Sequence, residues 1–206
     1  MSANRGPILV LDAFGVIYRP GDDVQGLLIP FIADQGGTRD QQRIESLYRE
    51  ASLGKIDARQ FWSAVGLDPR LEDEYLSHHE MVDGVHEFLL AANKAFSAIA
   101  CLSNDVSAWS RKLRERHRLA TAIPNWMVSG DLGLRKPAPE IYARMLQMLG
   151  VAGDRIVFVD DRVSNLDAAR AFGIHTVWMR PAGAAETAHA VARSLRDVLP
   201  LADRAH

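Results

Sequence analysis

Residues 8–18 read Ile8-Leu9-Val10-Leu11-Asp12-Ala13-Phe14-Gly15-Val16-Ile17-Tyr18. Four apolar residues without alternation suit a strand covered on both faces, and the run stops at an acid. The same pattern recurs along the chain. Ser97-Ala98-Ile99-Ala100-Cys101-Leu102 halts at Ser103-Asn104-Asp105, and Ile156-Val157-Phe158-Val159 halts at Asp160-Asp161. Trp126–Val128 and Ile174–Trp178 add two further short runs. Between the runs, apolar residues take helical spacing. Val85, Phe88, Leu89 and Ala92 form one stripe, with Asp83 placed to cap its start. Val106, Trp109 and Leu113 mark a second helix. Pro139 opens a third, with Ile141, Tyr142, Met145, Leu146 and Leu149 on one face and Gly150 at its end. A fourth runs from Val163 to Phe172 and closes at Gly173. Strands alternating with helices predict an α/β fold, an open parallel sheet with right-handed crossovers.

One segment departs from this alternation. Between Arg19 and Val82 the pattern is helical and no strand is expected. Ile44, Leu47, Tyr48 and Ala51 form a stripe capped by Thr38, and Ala58–Val65 and Leu71–Glu80 read as shorter helices. Roughly sixty helical residues exceed what one crossover needs, so they read as an inserted subdomain. The expected architecture is a Rossmann-like sheet of about five strands, built from residues 1–18 and 83–206, with an all-helical cap over 19–82. The alanine-rich stretch from Gly183 to Ala192 reads as the start of a surface helix.

The chain has 206 residues, 48% of them apolar and 24% charged, which suits a globular fold with a sizeable core and excludes a disordered chain. Asp and Glu number 26 against 24 Lys and Arg, so nothing suggests a basic nucleic-acid footprint. The single cysteine excludes an intramolecular disulfide framework and a cysteine-rich zinc site, and Cys101 itself reads as a core residue. No apolar run has the length of a membrane span or a signal-peptide core. The expectation is a cytoplasmic protein, monomer or homodimer, acting on a small molecule, with no nucleic-acid or membrane partner.

Ligands of open parallel sheets bind outside the carboxyl ends of the strands. Asp12, Ser103, Lys136 and the Asp160-Asp161 pair fall at such ends or in the loops after them. Each alone is unremarkable as a cap, turn former or surface charge; together, in order, they suggest one site. Two unit charges ~4 Å apart repel by roughly 4 kcal/mol at an effective dielectric of 20. Converging aspartates therefore call for a cation, and an all-oxygen site suits Mg²⁺.

The chain resembles the haloacid dehalogenase superfamily. The resemblance rests on Leu11-Asp12-Ala13-Phe14-Gly15-Val16-Ile17, on Leu102-Ser103-Asn104, on Gly133-Leu134-Arg135-Lys136-Pro137 with Pro139-Glu140-Ile141-Tyr142, and on Val159-Asp160-Asp161-Arg162-Val163-Ser164-Asn165. The helical insert sits where one class of the superfamily carries its cap, and the pattern is most similar to anomeric sugar phosphatases and 2-haloacid dehalogenases. The resemblance implies Asp12 as nucleophile, Ser103 bound to the transferring phosphoryl oxygens, and Lys136 neutralising both. It implies Mg²⁺ on Asp12, Asp161 and the Phe14 carbonyl, with Asp160 acting through a metal-bound water and Asn165 in support. Asn104, Tyr18 and Arg19 are expected at the substrate, and Asp22 and Asp23 could reach over it.

Most phosphatases of the superfamily carry a proton-transferring aspartate two residues after the nucleophile. Here that position is Phe14. General acid–base help is worth about 10²–10⁴-fold, so Phe14 favours a substrate whose leaving group departs unaided. A 2-haloacid dehalogenase with an ester at Asp12 is the alternative, since halide needs no proton, but the Asp160-Asp161 pair speaks against it. A binding or regulatory module without turnover is a third reading. His78-His79-Glu80 lacks ligand spacing for a metal site, and Phe61 and Trp62 read as packing inside the cap.

Overall fold

The computed structural model describes residues 6–180 and 188–203. Strands β1 (Ile8–Leu11), β4 (Ala98–Ser103), β5 (Asn125–Val128), β6 (Ile156–Asp160), β7 (His175–Met179) and β8 (Ala190–Ala192) form one parallel sheet in the order β5-β4-β1-β6-β7-β8. The chain winds outward from β1 in both directions, so the switch point of the sheet lies beside the end of β1.

Alternation along the buried strands sends side chains to two helical layers. Val10, Ala100, Leu102 and Phe158 meet Ile141, Tyr142 and Met145 of α8 (Pro139–Leu149) and Leu166 and Ala169 of α9 (Val163–Arg170). Leu9, Leu11, Ile99 and Val159 meet Val85, Phe88 and Leu89 of α5 (Val85–Ala95) and Trp109 and Leu113 of α6 (Ser107–Arg116). Parity therefore sorts each strand between two cores, as expected when both faces are covered.

The inserted segment holds α1 (Ile29–Asp34), α2 (Gln41–Ala51), α3 (Ala58–Ala64) and α4 (Glu72–Ser77). Its Phe61, Trp62 and Tyr75 are fully buried and belong to the same apolar cluster as Leu9 and Trp109. The helices therefore dock on the sheet layer as one hydrophobic body.

Several expectations need correction. The segment is not purely helical. β2 (Tyr18–Arg19) pairs antiparallel with β3 (Glu80–Met81), which ties the two ends of the insert together. Two-residue strands leave no periodicity in sequence; only their pairing defines them. The sheet has a sixth strand, because Ala190–Ala192 extends β7 and does not continue a helix. Residues 183–187 of that alanine-rich stretch lie outside the described residues. Asp40, and not Thr38, caps α2: its carboxylate accepts the Arg43 N–H at 3.0 Å, while Thr38 Oγ1 accepts from the Asp40 N–H. The residue before α5 is Gly84 in the left-handed region, and Asp83 pairs with Arg19 instead of capping.

Candidate active site

The loop after β1 starts where the Asp12 N–H still bonds to the Val159 carbonyl at 2.8 Å, continuing the sheet by one residue. This fixes Asp12 between the ends of β1 and β6. Lys136 Nζ lies 2.7 Å from Asp12 Oδ1 and 2.7 Å from Asp160 Oδ2, with all three side chains buried. Asp160 is saturated: Asn165 Nδ2 donates to both of its oxygens at 3.0 Å and the Arg162 N–H donates at 2.8 Å. Tyr142 in turn donates to the Asn165 carbonyl. Asn104 holds the lysine loop from the other side, accepting from the Lys136 N–H and donating to the Lys136 carbonyl, both at 2.8 Å.

Burial alone would push the Lys136 ammonium down, but Asp12 and Asp160 outweigh it and keep it above its ordinary value. Burial, then Asp160, raises the Asp12 carboxyl against the opposing pull of Lys136. Asp161 is pushed up to about 6, mainly by burial and next by Asp160. Oxygens of Asp12, Asp160 and Asp161 lie within 4.8 Å of one another, so one ammonium faces three converging carboxyls. Asp161 Oδ1 is buried without a hydrogen-bond partner. A Cβ at Gly15, whose φ is +79°, or at Gly21 would collide with that carboxylate. The loop after β1 is thus shaped around Asp161, and an unsatisfied acceptor among converging carboxylates is a place for a cation.

Of these carboxylates Asp12 opens onto a cavity of about 790 Å³, lined also by Phe14, Asn104 and Lys136 on the sheet side. Gln42, Glu45, Ser46 and Arg49 line it from α2. Ser103 stands at the end of β4, fully buried, with its hydroxyl unpartnered, and does not line the cavity itself. The structure thus brings together Asp12, Phe14, Asn104, Lys136, Asp160, Asp161 and Asn165. It does not bring Tyr18 and Arg19 to the cavity. Pairing with β3 turns Tyr18 inward, where it is 1% exposed against Phe14 and His117, and turns Arg19 outward to Asp83 at 2.9 Å. Asn104 lines the cavity, but its side chain is engaged with Lys136.

Residues that the sequence reading passed over take their places. Arg162 pairs with Asp22 at 3.5 Å, and Arg135 stacks over the Tyr48 ring and bonds to Ser52. The cavity face of α2 had a signal: Gln42, Glu45, Ser46 and Arg49 are spaced i, i+3, i+4, i+7, the polar complement of the stripe that buries Ile44 and Tyr48.

Known proteins are similar to this chain in sequence or in fold. Phosphoglycolate phosphatase of Pseudomonas putida is 29% identical over 139 residues, 62% of this chain and 50% of the relative. The chain spans about half the length, or less, of most curated relatives it matches. Two solved structures share the fold. One is a Bacteroides thetaiotaomicron HAD family enzyme in complex with magnesium and inorganic phosphate, with a TM-score of 0.74, 16% identity, and coverage of 86% of this chain and 96% of that one. The other is L-2-haloacid dehalogenase from Xanthobacter autotrophicus with chloropropionic acid covalently bound, with a TM-score of 0.67, 19% identity, and coverage of 95% and 97%. The region from β1 to the end of the α9 turn, residues 8–173, matches the family of haloacid dehalogenase-like hydrolases, and it contains every carboxylate and the lysine of the buried cluster; the chain belongs to that family.

Proposed function

We propose that the protein hydrolyses a small phosphate ester with Mg²⁺, through a covalent phosphoryl intermediate on Asp12. The observation that carries this reading is the convergence of Asp12, Asp160 and Asp161 around one lysine, with a buried Asp161 oxygen left without a partner. Displacement of halide from a haloacid creates no phosphoryl charge and has no use for such a cluster, so the phosphatase reading is preferred to the dehalogenase one.

The donor set fits Mg²⁺, which favours oxygen ligands and small sites. Asp12, Asp161 and the Phe14 carbonyl would hold it, with Asp160 behind them. When bound, the ion neutralises charge on the phosphoryl oxygens. The chain's own residues do the rest. Asp12, oriented by its bond to the Ala13 N–H at 2.7 Å, attacks phosphorus. Lys136 lies against the attacking carboxylate and stabilises charge as it shifts to the phosphoryl group. Asp160 and Asn104 hold that lysine in place. The Ser103 hydroxyl, buried and unpartnered just beneath the cavity at the end of β4, would need a side-chain or loop shift to meet a phosphoryl oxygen. The inserted helices dock beside the cavity, and the polar face of α2 selects the substrate. The fit of relatives named as phosphatases agrees with this reading.

Phosphate release from a panel of phosphorylated metabolites tests the proposal, run with Mg²⁺, with excess EDTA, and with Asp12→Asn. Release should need both Mg²⁺ and Asp12, with a loss on the order of 10⁴-fold or more in the variant. Full activity in EDTA overturns the phosphatase reading, and halide release from a haloacid under those conditions would replace it.

A further inference from the structure

Phe14 leaves the reaction without a proton donor at the position next to the nucleophile. Departure of an alkoxide then needs an acid from elsewhere in the cavity. Among the described residues, the acids lining it besides the nucleophile are Asp22, Asp23 and Glu45, with the phenol of Tyr48; no histidine lines it. Asp22 is paired with Arg162 at 3.5 Å. Glu45 accepts from Gln25 Nε2 at 2.5 Å. The Tyr48 hydroxyl donates to the Asn104 carbonyl at 3.1 Å. Asp23 differs from all of them. It is 5% exposed, and its Oδ2 is buried with no hydrogen-bond partner. A buried carboxyl oxygen without a partner is costly unless it carries a proton or meets a ligand.

From this elimination we propose that Asp23 is the general acid and base of the reaction, in the role that Phe14 cannot fill. The inference rests on the phosphatase reading above. In the first step an Asp12 oxygen bonds to phosphorus, the bond from phosphorus to the leaving oxygen breaks, and that oxygen takes the electron pair and the proton of Asp23. In the second step the Asp23 carboxylate removes a proton from the water that attacks phosphorus. The bond to Asp12 breaks, inorganic phosphate leaves, and both carboxyls return to their starting states. The surroundings suit this role. Burial, then Asp22, pushes Asp23 up to about 7 against the opposing pull of Arg162. Tyr48 and Arg135, Tyr75 of α4, and Asp105 after β4 also lie within reach of its charge. A group protonated near neutrality is where acid–base help is greatest.

The test compares phenyl phosphate, whose leaving group needs a proton, with 4-nitrophenyl phosphate, whose leaving group does not, using the full chain with Mg²⁺. Asp23→Asn should lower kcat/KM on phenyl phosphate by about 10²-fold or more, and by clearly less on the nitrophenyl ester. On the latter it should give a burst of nitrophenolate equal to the enzyme present and then slow turnover, because the phospho-Asp12 form lacks its base. Asp23→Glu should recover part of the phenyl phosphate rate. In the parent protein, kcat/KM should fall above about pH 7 on phenyl phosphate and not on the nitrophenyl ester, which needs no folded variant. Equal losses on both esters without a burst, or identical alkaline limbs in the parent, overturn the inference alone. Failure of the parent to turn over either ester or any metabolite of the phosphate-release panel overturns the phosphatase reading, and this inference with it.

Discussion

Lys136 sets the charge balance of the site. Its single ammonium bridges Asp12 and Asp160 and does not reach a pairing with Asp161, so three ionised carboxylates would leave the cluster two positive charges short of neutrality. Asp12, Ser103 and the Asp160-Asp161 pair were legible in the sequence because each stops an apolar run, and Lys136 because it follows the next strand in order. Tyr18 and Arg19 were not, because which of two neighbours turns inward depends on pairing with Glu80 and Met81, more than sixty residues away. His79 belongs to the same concealed layer. It is 2% exposed, lies against Phe14 and Tyr75, and burial holds its imidazole down to about 4. Between about pH 6.5 and 4 the unfolded chain binds a proton that the folded chain refuses. Stability therefore falls as pH drops through that window. Replacing the ring by His79→Phe removes this proton, so the variant should gain on the parent by on the order of 3 kcal/mol between pH 7 and pH 4. Urea unfolding of both proteins at the two pH values measures the difference; a gap that does not change with pH would contradict the account.

The insert's elements are held by polar contacts as well as apolar ones. Glu72, at the first turn of α4, is 7% exposed. One of its oxygens accepts from the Trp62 indole of α3 at 3.2 Å and the Trp109 indole of α6 at 2.8 Å, and the other meets Lys112 at 2.7 Å. Two elements of the insert and one of the sheet layer are thus joined through one carboxylate. Glu72→Ala strands two buried indole N–H groups, each worth roughly 1–3 kcal/mol when unsatisfied, so a loss of about 3 kcal/mol is expected. Glu72→Gln keeps an acceptor and should lose about 1 kcal/mol. The midpoint of urea unfolding reads both; equal losses would mean that the indoles do not depend on this acceptor. The sequence disclosed α3 and α4 through their apolar spacing but gave no sign of this junction. A lone glutamate at a helix start reads as a favourable end charge, and its burial follows only from where Trp62 and Trp109 meet.

Across the whole molecule, hydrophobic burial and site electrostatics pull in opposite directions. One apolar cluster runs from the sheet through α5 and α6 into the inserted helices, drawing them over the ends of β1 and β6. Those ends carry Asp12, Asp160 and Asp161, so closing the fold concentrates like charge at the switch point of the sheet. The parallel architecture was readable because periodicity reports burial; how far the insert closes over the charges was not, because that depends on side chains meeting across the cavity. The conflict has a measurable consequence. A cation that binds only the folded carboxylate cluster stabilises by mass action, by about 2.7 kcal/mol at a hundredfold excess over its Kd. In a chain of this size that corresponds to a rise in Tm of roughly 5–10 °C. Titration with MgCl₂ should raise Tm by this amount, and NaCl at matched ionic strength should not. Asp161→Asn removes the carboxyl that burial and Asp160 already push up to about 6. In EDTA that variant should melt no lower than the parent, and Mg²⁺ should lift its Tm by only a small fraction of the parent's rise. If the variant and the parent responded alike, the ion would be acting elsewhere on the surface, and the buried Asp161 oxygen would need another partner.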